Sequence, residues 1–150
     1  MDAKAAMKQA VLFYGLDDAQ LEQLVGISHA RTYTRNQVVF SEGDSGDGMY
    51  IIGSGQVAVA QVDDDGNTTP SLYLGEGQIV GEMSLVDGAA RSASIVAVDE
   101  GTEIYYIATE DFTALCQKNT DIGYVMMRNI AQDLSFKLRH RHSSPNLTKH

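Results

Sequence analysis

Between residues 29 and 107 the apolar residues abandon helical spacing and arrive as short runs separated by turn residues. This change of period limits what the chain can fold into more than any other feature. The runs cover 38–40, 49–52, 56–62, 71–74, 92–98 and 103–107, each the length of a strand. Glu42-Gly43-Asp44, Asp63-Asp64-Asp65-Gly66-Asn67 and Gly75-Glu76-Gly77 lie between them and supply the Asp, Asn and Gly that tight turns need. In the second of these, Asp-Gly or Gly-Asn provides positive φ for a hairpin, so the acidic run reads as a solvated turn rather than a calcium site.

Helical spacing frames this region on both sides. The first segment reads as helix, breaks at Gly15 and restarts at Asp17, whose carboxylate can cap while Gln20 answers three residues on; Leu21, Leu24 and Val25 then share a face. A further helix starts at Glu110 and runs through Phe112, Leu115 and Cys116. A longer one spans 121–142 with Asp121 as its cap. Ile122, Met126, Ile130, Leu134 and Leu138 recur every four residues, so this stripe packs on the body and drifts slowly around the axis toward a partner surface. The expected fold is mainly β with flanking helices: an eight-stranded antiparallel jelly roll or barrel between N-terminal helices and a long C-terminal helix.

A chain of 150 residues with 43% hydrophobic and 21% charged residues fits one soluble domain, expected over 1–142, with 143–150 as a mobile tail. Cys116 is the single cysteine, so no intrachain disulfide is possible, and its helical setting makes it a packed thiol rather than a nucleophile. No signal peptide or membrane span is read, which suits the cytoplasm. The net charge of −9 opposes a nucleic-acid surface over most of the fold. The balance is uneven: residues 1–127 hold 19 acids and 6 bases, whereas 128–150 hold 1 acid and 5 bases.

One cation stands apart. Between Asn36 and Gln117 there are 14 acids and a single basic residue, Arg91. Most arginines make surface ion pairs of little energetic weight. Here the preceding sequence is Gly77-Gln78-Ile79-Val80-Gly81-Glu82-Met83-Ser84-Leu85-Val86-Asp87-Gly88-Ala89-Ala90, followed by Arg91-Ser92-Ala93. Gly81 admits close backbone approach, and 82–85 can form one helical turn with free N–H groups that favour an anion. Arg91 can bring a planar guanidinium to the same point, and Ser92 adds a hydroxyl and its own N–H. Glu82 supplies an acceptor pair for a sugar hydroxyl, as acidic residues do in dinucleotide sites. A ribose joined to a phosphate is the implied ligand.

Segment 77–93 resembles the phosphate-binding cassette of cyclic nucleotide-binding domains of the catabolite-activator type. Gly43-Asp44 with Gly46, the apolar run 49–52, Gly55 and Gly77 extend the resemblance to about residues 10–140. It implies that Gly81 and Glu82 hold the ribose hydroxyl, Arg91 a phosphate oxygen and Ser92 a second phosphate contact, with the amides of Met83, Ser84 and Ala93 assisting. Val80 stands where the family usually has an aromatic residue and Ala90 where proline is common, and neither change removes a ligand contact. The resemblance also implies a base covered by the last helix near Phe136, Lys137, Leu138 and Arg139. With Ser92 after the arginine, cyclic AMP is the expected ligand and cyclic GMP the alternative.

The resulting expectation is a stand-alone, non-enzymatic sensor that needs no cofactor and binds neither specific DNA nor membrane. It passes ligand binding through its C-terminal helix to an effector protein or a second copy. Only eight residues follow 142, too few for a helix-turn-helix domain. A cupin-like metal site would need several converging histidines, and only His29 lies among the strands, while His140 and His142 follow in the basic segment. A degenerate module of the same fold, contacting proteins without a ligand, is the remaining alternative. A guanidinium turned to solvent, or tied to a carboxylate with the cavity closed, would contradict the ligand reading.

Overall fold

The structure, a computed structural model, describes residues 1–143. Asp2 opens α1 (Ala3–Gln9) by accepting the Ala5 amide at 2.8 Å. A 3₁₀ turn (Val11–Phe13) and Gly15, at φ 97°, then break the helical path. The expected capping box opens α2 (Asp18–Gly26): the Gln20 amide donates to Asp17 at 2.8 Å and the Asp17 amide to the Gln20 side chain at 2.9 Å.

Eight strands follow, paired antiparallel throughout. They are β1 (Ser28–Tyr33), β2 (Val38–Phe40), β3 (Gly48–Ser54), β4 (Val57–Val62), β5 (Thr68–Leu74), β6 (Ile79–Val80), β7 (Ser94–Ala97) and β8 (Thr102–Ala108). They form two four-stranded sheets, ordered β1-β8-β3-β6 and β2-β7-β4-β5. The expected eight strands are therefore present as two sheets of a jelly roll, and the closed-barrel alternative is corrected. No ladder joins the two sheets, each of which has one edge strand of only two or three residues, β6 and β2, and register shifts in three pairs.

The central strands of the first sheet, β3 and β8, are buried on both faces. Tyr50, Ile52, Ile104 and Tyr106 point between the sheets with Val57, Val80 and Ile95. The alternate residues Met49, Ile51, Tyr105 and Ile107 pack against the helices, with Met7, Leu24, Phe112, Ile122 and Met126. This two-sided burial explains the continuous apolar run 49–52, which lacks the polar alternation of a half-exposed strand.

After α3 (Ser84–Asp87) and α4 (Thr109–Lys118), the chain ends in α5 (Thr120–Ser143). Asp121 is not its cap. The helix starts one residue earlier, the Ile122 amide reaches Asn119 Oδ1 at 3.4 Å, and Asp121 sits in the first turn, where its charge complements the helix dipole. The stripe drifts as expected: Ile122, Met126 and Ile130 are buried, Leu134 is half-buried, and Leu138 is 54% exposed. Asn129 Nδ2 ties the helix to the N-terminal turn, donating to Leu12 O at 2.7 Å and Tyr14 O at 2.8 Å. The expected mobile tail, 143–150, lies outside the described residues except for Ser143, which closes α5. Among the described residues no helix is long and apolar enough to cross a membrane.

Candidate functional site

The segment after β6 is shaped by two glycines and a serine. Gly81 lies at φ 82°, and a Cβ there would stand 2.4 Å from Arg91 Nη1 and 3.0 Å from Gly48 O. Glycine is thus required twice, by the backbone angle and by the guanidinium packed against it. Gly88, at φ 63°, ends α3 with its amide on Ser84 O. Ser84 is buried, its hydroxyl 2.7 Å from Gly48 O and 2.6 Å from Gly81 O, and it pins the short helix to β3.

Arg91 ties the cassette to the turn that leads into β3. Its amide donates to Asp44 O at 2.8 Å and its carbonyl accepts the Gly43 amide at 2.9 Å, so the Gly43-Asp44 turn and the cassette hold each other. The side chain is 4% exposed. Nη2 donates to Gly48 O at 2.7 Å and lies 3.2 Å from Asp47 Oδ1. The guanidinium sits 4.2 Å from the Phe40 ring centroid and 5.7 Å from that of Tyr50. Nε is buried and has no hydrogen-bond partner among the described residues.

A buried cation needs nearly full compensation. Asp47, 66% exposed, offers one oxygen to Nη2, and Nε is left without an acceptor among the described residues. Burial, followed by the Asp47 charge, pushes Tyr106 up to about 12, so its phenol stays neutral and donates to Asp47 O at 3.0 Å. Burial and the same charge raise Tyr50 as well.

Arg91 and Phe40 border a cavity of about 530 Å³. All seven residues expected from the sequence line it: Gly81, Glu82, Met83, Ser84, Arg91, Ser92 and Ala93. The amides of Met83, Ser92 and Ala93 have no protein partner among the described residues, whereas that of Ser84 is spent on Gly81 O at 3.1 Å and is not available to a ligand. Of the two contradicting arrangements named above, a neighbouring carboxylate is present but the cavity is open.

Glu82, with its side chain 18% exposed, meets Lys137 of α5, whose Nζ lies 3.4 Å from Glu82 Oε1 and 2.9 Å from Asp133 Oδ2. Lys137 is the only one of the four lid candidates that lines the cavity. Phe136 is 61% exposed and stacks on His140, centroids 4.0 Å apart, and Leu138 is also exposed, because the apolar stripe has rotated off the body by this point in α5. A second cavity of about 380 Å³ adjoins the first, sharing Ile79, Glu82 and Lys137 and reaching Gln9 and Leu12.

Sequence reasoning missed Phe40 as a cavity wall and Asp47 as the ion-pair partner. The only signals were an aromatic residue in a predicted strand and one acid among many. His29 is exposed on β1, and among the described residues no three His, Cys, Asp or Glu side chains form a metal-holding group. Cys116 is half-buried and burial raises its thiol pKa, away from thiolate chemistry at neutral pH.

Comparison with known proteins gives a consistent result. The sequence profile described as "Cyclic nucleotide-binding domain" matches residues 30–119. The chain is 33% identical over 133 residues to a cyclic AMP receptor protein of Thermus thermophilus, covering 89% of this chain and 59% of that protein. It is 34% identical over 101 residues to a cAMP-dependent protein kinase type II regulatory subunit of Drosophila melanogaster, covering 67% of this chain and 26% of that one. The chain thus spans less than two thirds of either relative. Among solved structures, the N-terminal domain of a transcriptional regulator from Streptomyces coelicolor A3(2) superposes with a TM-score of 0.80 at 25% identity, covering 90% of this chain and 94% of that one.

Proposed function

The chain belongs to the cyclic nucleotide-binding domain family, and from that premise we propose that it is a sensor binding a 3′,5′-cyclic nucleotide, cyclic AMP by preference, in the cavity walled by 81–93. The observation that carries the proposal is Arg91, a guanidinium buried in the wall of an open cavity with Nε lacking a partner. A cyclic phosphodiester supplies the missing charge and acceptors, with Ser92 and the unpartnered amides of Met83 and Ala93 close by. Gly81 and Glu82 take the ribose, the Glu82 carboxylate accepting the 2′-hydroxyl.

Cyclic AMP is favoured over cyclic GMP by Ser92 and by the likeness to a cyclic AMP receptor protein. The chain is taken to bind its ligand without transforming it, the Glu82 carboxylate being assigned to the ribose and engaged by Lys137 in the free protein.

Transmission runs through α5. A ligand that binds the closed arrangement better draws the 82–87 turn inward and resets the C-terminal turns of α5. The exposed end of that helix meets an effector protein or a second copy, and light scattering with and without nucleotide separates the two. The assignment of site residues is tested by calorimetry on variants. Arg91→Ala is expected to lose about 2–5 kcal/mol of affinity for cyclic AMP, and near-normal affinity refutes its role. Glu82→Ala is expected to weaken binding and to lose preference for cyclic AMP over its 2′-deoxy analogue; an unchanged preference removes Glu82 from the site.

A further inference from the structure

We propose that Lys137 competes with the ligand for Glu82, so that one lysine on α5 sets how strongly the site distinguishes a ribose from a 2′-deoxyribose. This inference rests on the cavity reading above and adds to it a specificity residue from outside the cassette. Lys137 is 58% exposed and Glu82 only 18%, so the ammonium approaches a largely buried carboxylate from the solvent side. Both residues belong to the wall shared by the two cavities. Burial opposes the charge on Lys137, but the hydrogen bond to Asp133 and the charges of Glu82 and Asp133 outweigh it and raise its pKa. The ammonium therefore stays charged through the neutral range.

A carboxylate engaged by an ammonium must share or surrender that contact when a hydroxyl donates into it. Lys137 keeps Asp133, 2.9 Å away, when it lets go of Glu82, so its displacement carries a small cost rather than a prohibitive one. A ribose ligand bears that cost. A 2′-deoxy ligand makes no demand on Glu82, leaves Lys137 in position and bears none. The general attraction of Lys137 for an anionic phosphate acts on both ligands alike and cancels in the ratio of their dissociation constants.

The test is calorimetry on the whole chain with cyclic AMP and 2′-deoxy cyclic AMP. In Lys137→Met the ratio of the deoxy to the ribose dissociation constant should rise about two- to fivefold, the range expected when a partly exposed ion pair is removed. Lys137→Arg, which keeps the pair, should retain the wild-type ratio. A ratio in Lys137→Met that is unchanged or lower overturns the competition while leaving the cavity reading intact. Failure of the wild-type chain to bind either nucleotide overturns both, and is a distinct result.

Discussion

Gly81 and Arg91 explain each other. The glycine stands at φ 82° with the guanidinium against its Cα, where a methyl group would lie 2.4 Å from Nη1. Gly81→Ala is therefore expected to move the cation that the ligand needs and to strain the turn. Cyclic nucleotide affinity should fall at least about tenfold, and stability should drop by roughly 1–2 kcal/mol for the left-handed backbone; calorimetry and urea denaturation measure the two. Normal affinity in this variant would show that the guanidinium's position is immaterial. The residues of the turn were legible because Gly81, Glu82, Arg91 and Ser92 are neighbours in sequence and carry complementary chemistry. Asp47 was not, because it reaches Arg91 across 44 positions, brought there by the bonds of the Gly43-Asp44 turn and of Gly48 to Arg91.

At the scale of elements, the strands that are buried on two faces were the most legible. β3 and β8 are continuous apolar runs because helices cover one side of their sheet and strands the other. β6 was missed because two residues carry no period. The cap of α5 was misread because Asp121 and Asn119 are both competent caps two positions apart, and the chain uses Asn119. The N-terminal helices offer a test of an ion-pair network that joins two elements. Asp18 of α2 lies 3.2 Å from Lys8 and 3.8 Å from Lys4 of α1. The hydrogen bond from Lys8, then the charges of Lys4 and Lys8, hold its carboxyl below the ordinary value of 3.8. With the folded pKa depressed, the unfolded chain binds more protons in acid. The contribution is fully present above 3.8 and is lost as pH falls through the folded value. Asp18→Asn should melt slightly below wild type at neutral pH, with the gap closing in acid and in high salt; a gap independent of pH contradicts the pairing.

Across the whole molecule, an acidic chain of net charge −9 keeps one buried guanidinium at the wall of an open cavity. The charge count made that cation conspicuous in the sequence, and the alternation of runs and turns marked six of the eight strands, leaving the polar β1 and the two-residue β6 unmarked. Their division into two sheets was not legible, since it depends on where the hydrogen-bond ladder stops rather than on any residue pattern. In the function proposed, the cavity serves to neutralise a cyclic phosphodiester with this cation. Calorimetric titration of the wild-type chain, stripped of any co-purified nucleotide, with cyclic AMP and with uncharged adenosine tests it most directly. Micromolar binding of cyclic AMP, about 8.2 kcal/mol, and at least hundredfold weaker binding of adenosine are expected. Silence toward cyclic AMP at millimolar concentration, or equal binding of the two, would contradict it.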